Sequence, residues 1–271
     1  MQGDAFGAFE QAGWSEGRAA PYHHGLGAIT SGAIPALLDG AAVSAGTSVL
    51  DVATGPGYAA ARAVERGGEV VGVDFSAEML ELAAELHPNV RFQHADAGSL
   101  PFPDGTFDAV IASFLMPHVA DLPAVVGELA RVLRPGGRLA LSTWDPGPPS
   151  YLRALVEAIA GAGATPPPDM PPGPPFFQYA EDDEFAALLT GACLGDPSVE
   201  TVSFAHHVDD LDDFWADLIG GTVRMNALIT SQSPDVQARI RSLYERNIEP
   251  WRAGAGFDVR CSVKVGAAAR T

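Results

Sequence analysis

The chain has 271 residues, enough for one large domain or a domain with a cap. It is 47% hydrophobic and 18% charged, with a formal net charge of −18 and a pI near 4.5. So acidic a surface repels phosphate backbones and argues against nucleic acid as a partner. The two cysteines, Cys193 and Cys261, form no CxxC pair, so no zinc site, other metal site or disulfide framework is indicated. No apolar run reaches the roughly 18 residues of a membrane span. The stretch from Met1 to Trp14 has no basic start and reads as no signal peptide. The expectation is a cytoplasmic protein acting away from membranes.

The first 46 residues, with Trp14, Tyr22, His23, His24, Ile29 and Ile34–Leu38, read as helices leading into a strand. Ser48–Ala53 is that first strand, with one acid, Asp51, among β-branched and apolar residues. The chain breaks at Gly55-Pro56-Gly57 and enters an alanine-rich helix stopped by Gly67-Gly68. Glycine lets a ligand approach the main chain, and a helix start offers free N–H groups to an anion. Glu69–Asp74 is a second strand that closes on an acid. Ser76 is a suitable N-cap for the helix 78–87, which Pro88 ends. Val90–His94 is a third strand, followed by Asp96 and a turn over Pro101–Thr106. Phe107–Ser113 is the fourth, 122–133 a helix, Leu133–Gly137 a turn and Arg138–Trp144 the fifth strand. Short apolar strands between amphipathic helices indicate a parallel sheet covered on both faces, with its ligand-binding loops along one edge.

Beyond Trp144 the rhythm changes. Asp145–Pro149 is a proline turn, Tyr151–Ala160 a helix, and 165–175 a loop holding seven prolines. A helix at Asp182–Gly191 and a strand at Val199–Val208 follow. Asp212–Trp251 is helical, with Pro234 after Ser233 at a helix start, and Phe257–Ala267 is a last strand.

Gly55-Pro56-Gly57-Tyr58-Ala59-Ala60 fits the loose dinucleotide pattern G-x-G-x-x-G/A, which alone is a weak signal. Four blocks in order sharpen it: LDVATGPGY (50–58), VVGVDFSAEML (70–80), ADAGSLPFPDGTFDAVIASF (95–114) and ELARVLRPGGRLALSTW (128–144). With these the chain resembles the class I S-adenosylmethionine-dependent methyltransferases, in the small-molecule group named for ubiquinone and menaquinone biosynthesis. The resemblance is strong over 47–144 and follows element order alone beyond. It implies a three-layer, Rossmann-like α/β fold with a seven-stranded sheet of order 3-2-1-4-5-7-6 and an antiparallel strand 7. It divides the chain into an N-terminal helical lid (1–46), a cofactor-binding core (47–208 and 254–271) and a helical cap insertion for the acceptor (209–253).

The same resemblance assigns roles. Gly55 and Gly57 would admit the cofactor's amino-acid and ribose portions, and Asp51 would help hold its ammonium. Asp74 would bind the ribose hydroxyls, Phe75 and Met79 would flank the adenine, and Asp96 with the Ala97 N–H would meet the adenine edge. Ser113 and Phe114 would line the sulfonium and acceptor side. The family usually has glycine where this chain has Ala53, which is expected to crowd the turn slightly while keeping an ordinary β conformation.

The implied reaction is methyl transfer from S-adenosyl-L-methionine, leaving S-adenosyl-L-homocysteine, to an oxygen or carbon of a small, apolar or aromatic metabolite, with nitrogen left open. A sulfonium is an activated donor, so proximity supplies much of the rate. An acceptor that must lose a proton needs a base, for which His118, His23 and His24 are the candidates. Tyr22, Trp14, Met116 and Arg224 are candidate lid or acceptor contacts. His118 and Arg224 each also suit a purely structural role. Three other readings stand beside this one: a cofactor-holding protein catalysing a pericyclic or elimination step, a nicotinamide-dependent oxidoreductase, and a non-enzymatic regulator. A homodimer stays open.

Overall fold

A computed structural model describes residues 2–15, 17–147 and 150–271. Pro148 and Pro149 of the expected proline turn lie outside the described residues. The chain clusters into two compact units. The sheet unit is Thr30–Trp144, Gly173–Val202 and Val263–Thr271; the helical unit is Met1–Ile29, Asp145–Pro172 and Ser203–Ser262.

The sheet unit holds α4 (Ile34–Gly40), β1 (Ser48–Val52), α5 (Tyr58–Glu65), β2 (Glu69–Asp74), α6 (Ala77–Leu86), β3 (Arg91–His94), β4 (Phe107–Ser113), α7 (Leu122–Val132), β5 (Leu133–Trp144) and α9 (Asp182–Gly191). The long strands β6 (Leu194–Val208) and β8 (Gly256–Arg270) begin or end in it. Strand order is β3-β2-β1-β4-β5-β8-β6, with the two-residue β7 (Arg252–Ala253) pairing β8 off this path. β1 to β5 pair in parallel and β8 runs antiparallel to β5, from Arg138↔Ala269 to Trp144↔Val263. This is the expected order, with β8 as the seventh main strand.

Alternation of side chains places the core in two layers. Leu50, Val52, Val110 and Leu139 pack with Val126 and Leu129 of α7 and Phe185 and Leu189 of α9. Val49, Ala109, Ile111 and Ala140 pack with Leu37 and Leu38 of α4 and Ala59 and Ala63 of α5. Ser76 caps α6 by accepting from Met79 N, and Gly67 takes the left-handed conformation (φ 86°) after α5.

Two strands start earlier than their sequence suggests: β6 at Leu194 rather than Val199, and β5. β5 begins at Leu133, paired with Phe107, and its register shifts before Ala109↔Arg138. The expected turn at 134–137 is therefore an outward bulge within the strand, at which Gly136 supplies a φ of 81°.

The helical unit contains α1 (Gln2–Gly13), α2 (Ala19–His24), α8 (Tyr151–Gly161), α10 (Leu211–Gly220), α11 (Arg224–Thr230) and α12 (Pro234–Ile248); α3 (Leu26–Ser31) crosses the division. The helical stretch expected over 212–251 is thus three helices and a final 3-10 turn. Asp210 caps α10 and Ser233 caps α12 ahead of Pro234. α8 and α12 are tied by Asn247 Nδ2 donating to Ala154 O, and α2 and α10 by Arg18 donating to Gly220 O. Phe6, Tyr151, Phe214, Tyr244, Ile248 and Cys261 are buried in this unit. No helix among the described residues is long and apolar enough to cross a membrane.

Candidate functional site

The carboxyl ends of β1, β2 and β4 bring most of the expected residues together. Asp51 lies inside β1, fully buried. Its Oδ2 accepts from Thr54 Oγ1 at 2.7 Å, while Oδ1 has no partner among the described residues. Burial pushes this carboxyl up to about 7; the bond from Thr54 and the Ala60 N–H oppose the rise, and the nearby charge of Asp74 adds a little to it. An orphaned, buried carboxylate oxygen is costly, roughly 1–3 kcal/mol, unless a ligand serves it.

Above Asp51 the chain turns through Gly55 (φ 53°) and Gly57 (φ 83°), both left-handed. A Cβ on Gly57 would also stand 2.7 Å from Phe92 Cζ, so that ring would have to shift to admit it. A Cβ on Gly55 would meet nothing within 4 Å, which leaves open space above that backbone. Asp74 ends β2 and braces the turn: its Oδ2 accepts from Gly55 N and its Oδ1 from Ser76 N, each at 2.9 Å. Burial raises its carboxyl above the ordinary range, opposed by the N–H groups of Ser76, Gly55 and Phe75 and by the charge of His118. His118 closes the 3-10 turn Met116–His118 beyond β4, so its imidazole stands within electrostatic reach of Asp74.

Met79 is buried and Phe75 half-buried at the start of α6. Asp96 is exposed beyond β3, where its Oδ1 accepts from Gly98 N at 2.8 Å, with Ala97 half-buried next to it. Met116 lines a small cleft with Pro117, Leu122, Pro175, Phe176 and Tyr179.

Ala53 departs from the expectation. Its φ is 55°, left-handed rather than β, because the chain must turn sharply off β1. A Cβ in that conformation costs roughly 1–2 kcal/mol, which is the physical content of a glycine at this place. Phe114 is a second such residue, at φ 57°.

Several residues here were not singled out from sequence. Thr54 steadies Asp51. Ser142, fully buried on β5, receives Phe114 N at 3.1 Å and stands 3.4 Å from Ser113 Oγ. A polar residue inside the apolar run of β5 was the available signal. Glu128 of α7 accepts from Leu100 N, while Arg131 donates to Phe102 O, Asp104 and Glu128, fastening the loop that follows Asp96. The Arg131 guanidinium holds Glu128 below the usual carboxylate range.

Trp14, Tyr22, His23, His24 and Arg224 belong to the helical unit. Trp14 Nε1 donates to buried Glu10 at 3.1 Å and meets Tyr22 edge-on, ring centres 5.7 Å apart. The His23 and His24 rings are 5.2 Å apart. The Arg224 guanidinium sits 5.5 Å from the Phe6 ring; its burial lowers its basicity and Glu10 pulls it back up.

A glycine turn after β1, an acid beneath it, an acid at the end of β2 and an antiparallel strand beyond β5 define a class I methyltransferase fold. Residues 50–141 match the family described as methyltransferase domain. Among curated proteins, the demethylmenaquinone methyltransferase of Thermus thermophilus is 48% identical over 117 residues, 41% of this chain and 53% of that protein. That of Beutenbergia cavernae is 39% identical over 120 residues, 44% of this chain and 50% of that protein. The matched stretch therefore spans about half the length of these relatives. Among solved structures, the YcgJ protein of Bacillus subtilis superposes with a TM-score of 0.54 at 22% identity, covering 88% of this chain and 98% of that one. A Haemonchus contortus phosphoethanolamine N-methyltransferase, solved with phosphomonomethylethanolamine and S-adenosylhomocysteine, gives 0.53 at 19% identity, over 88% of this chain and 52% of that one. These two likenesses establish the fold.

Proposed function

We propose that the chain transfers a methyl group from S-adenosylmethionine to an oxygen or carbon of a small-molecule acceptor. The observation that carries this is the buried Asp51 carboxylate, one oxygen unpartnered, beneath a turn with open space over Gly55. The residues suit the cofactor: an unpartnered carboxylate for an ammonium, Asp74 for ribose hydroxyls, apolar Phe75 and Met79 for a purine. When bound, the cofactor supplies an activated methyl group on sulfur.

The protein's own part is to hold, orient and exclude water. Asp51 holds positive charge, Asp74 and the Gly55 backbone set the position of the nucleoside, and Ser113 and Phe114 mark the edge where the acceptor enters. His118, His23 and His24 remain the proposed bases for an acceptor that must lose a proton. The formal net charge of −18 supports a small-molecule acceptor over nucleic acid.

Titration calorimetry with S-adenosylhomocysteine and with NAD tests the cofactor; binding of NAD alone would sink the reading. Mass spectrometry after incubation with S-adenosylmethionine and demethylmenaquinone, oxidised and reduced, the compound in the names of the two curated relatives, and with a panel of phenols tests the transfer. A product heavier by one methyl group is expected. Conversion without that gain would mark a non-methylating reaction instead.

A further inference from the structure

Phe114 is a bulky side chain at a turn that glycine would make without strain. Its φ of 57° is held from two directions. Its N–H donates to Ser142 Oγ, and its ring lies against Trp144 with centres 4.1 Å apart and planes inclined by 34°. Strand register locates the pair. β4 pairs with β1 as far as Asp51↔Ile111, and Phe114 follows the last residue of β4, Ser113. Ser113 is paired with Ser142, so Trp144 ends β5 two residues beyond. Both residues therefore sit at the carboxyl edge of the sheet, where parallel α/β sheets bind ligands. They retain 5% and 6% exposure, whereas Ile111, Ala112, Leu141 and Thr143 below them have none. Backbone strain kept at such an edge is a reason to look for function. Packing alone would be satisfied by leucine, which has no preference for a flat neighbour.

We propose, resting on the methyltransferase reading above, that Phe114 and Trp144 form an aromatic wall of the acceptor subsite and select a planar, conjugated ring over a saturated one of the same size. The two rings are in contact at a tilt of 34°, and aromatic faces gain from stacked or edge-on neighbours beyond plain burial. Ser142 fixes the wall by holding the Phe114 N–H.

The test is titration of 2-naphthol and of trans-2-decalol into the protein saturated with S-adenosylhomocysteine. The two alcohols share their carbon count and hydroxyl and differ in planarity, and apolar burial by itself does not prefer the flat one. The wild type is expected to bind 2-naphthol about tenfold more tightly, the scale of one good stacking contact. Phe114→Leu and Trp144→Leu are each expected to bring the ratio within about twofold, and Phe114→Tyr to keep it. Far-UV circular dichroism and the melting temperature serve as the folding control. If a leucine variant fails that control, Trp144→Phe replaces it, with a ratio lowered about threefold. Equal binding of the two alcohols, no binding of 2-naphthol, or a ratio that survives the substitutions overturns the proposal. Failure of the wild type to bind S-adenosylhomocysteine overturns the methyltransferase reading instead.

Discussion

At the level of single residues, two carboxylates do different work although both are buried at strand ends. Both oxygens of Asp74 are held by backbone N–H groups, so it is a rigidly placed acceptor. Asp74→Ala is expected to weaken S-adenosylhomocysteine binding about tenfold or more, because bonds to an ionised acceptor contribute roughly 1.5–3 kcal/mol each. Unchanged affinity in a folded variant would refute its ribose role. Asp51 is poised near neutrality, with its carboxyl up at about 7. Its folded value exceeds its unfolded one, so the stability it contributes is lost as pH rises from about 4 to about 7. An ammonium favours the ionised form, so cofactor binding should release a proton near pH 7. Affinity is expected to fall as pH drops from 8 to 6, by up to about tenfold per unit below 7. Asp51→Asn should flatten that profile, as calorimetry in buffers of different ionisation enthalpy would show. Ala53→Gly should stabilise the protein by about 0.5–1 kcal/mol, the relieved left-handed strain exceeding the added entropy of the unfolded chain. A denaturant midpoint that does not rise would mean that Ala53 is not strained. Asp51, Asp74 and Gly55 were legible in the sequence, since a glycine turn between two acid-bearing strands is a local pattern at short, fixed spacing. The conformation of Ala53 was not, because a residue's φ depends on the path the chain must take after it.

At the level of elements, close approach is decided by what a helix meets rather than by its own sequence. Gly221 follows α10, and a Cβ there would stand 2.7 Å from Tyr22 Cα and 2.8 Å from Tyr22 N. Backbone cannot move aside as a flexible side chain can. Gly221→Ala is therefore expected to cost about 1–3 kcal/mol and to displace α2, carrying Tyr22, His23 and His24 with it. Thermal unfolding measures the cost, and a change in Trp14 fluorescence, since its ring rests on Tyr22, reports the displacement. An unchanged melting temperature would show that α2 accommodates the methyl group freely. Most elements were readable from periodicity and caps: Ser76, Ser233 and Gly67 mark helix ends where expected. The start of β5 was not, because Arg134-Pro135-Gly136-Gly137 has turn chemistry and only pairing of Leu133 with Phe107 makes it a bulge inside a strand. The network from Glu128 and Arg131 to the loop after Asp96 was equally hidden, since its partners lie about 30 residues apart in sequence.

For the whole molecule, 34 acids against 16 lysines and arginines leave a charge of −18, which opposes compactness. The ion pairs on its surface, such as Arg62–Glu65 and Arg153–Glu157, are exposed and contribute about 0–1 kcal/mol each. Self-repulsion should outweigh them, so raising salt from about 20 mM to about 200 mM is expected to raise the melting temperature by about 3 °C. A fall would show that the ion pairs dominate. The sequence by itself determined the sheet, its strand order through resemblance, and the acids and glycines around the expected cofactor, because these depend on local patterns at fixed spacing. Tertiary structure alone decided that Ala53 and Phe114 take strained turns and that Ser142 holds the Phe114 backbone. It alone set the Phe114 ring on Trp144 and grouped 145–172 with α1 and α10–α12 in one unit. Those facts arise from contacts between residues far apart in the chain, which no local pattern encodes.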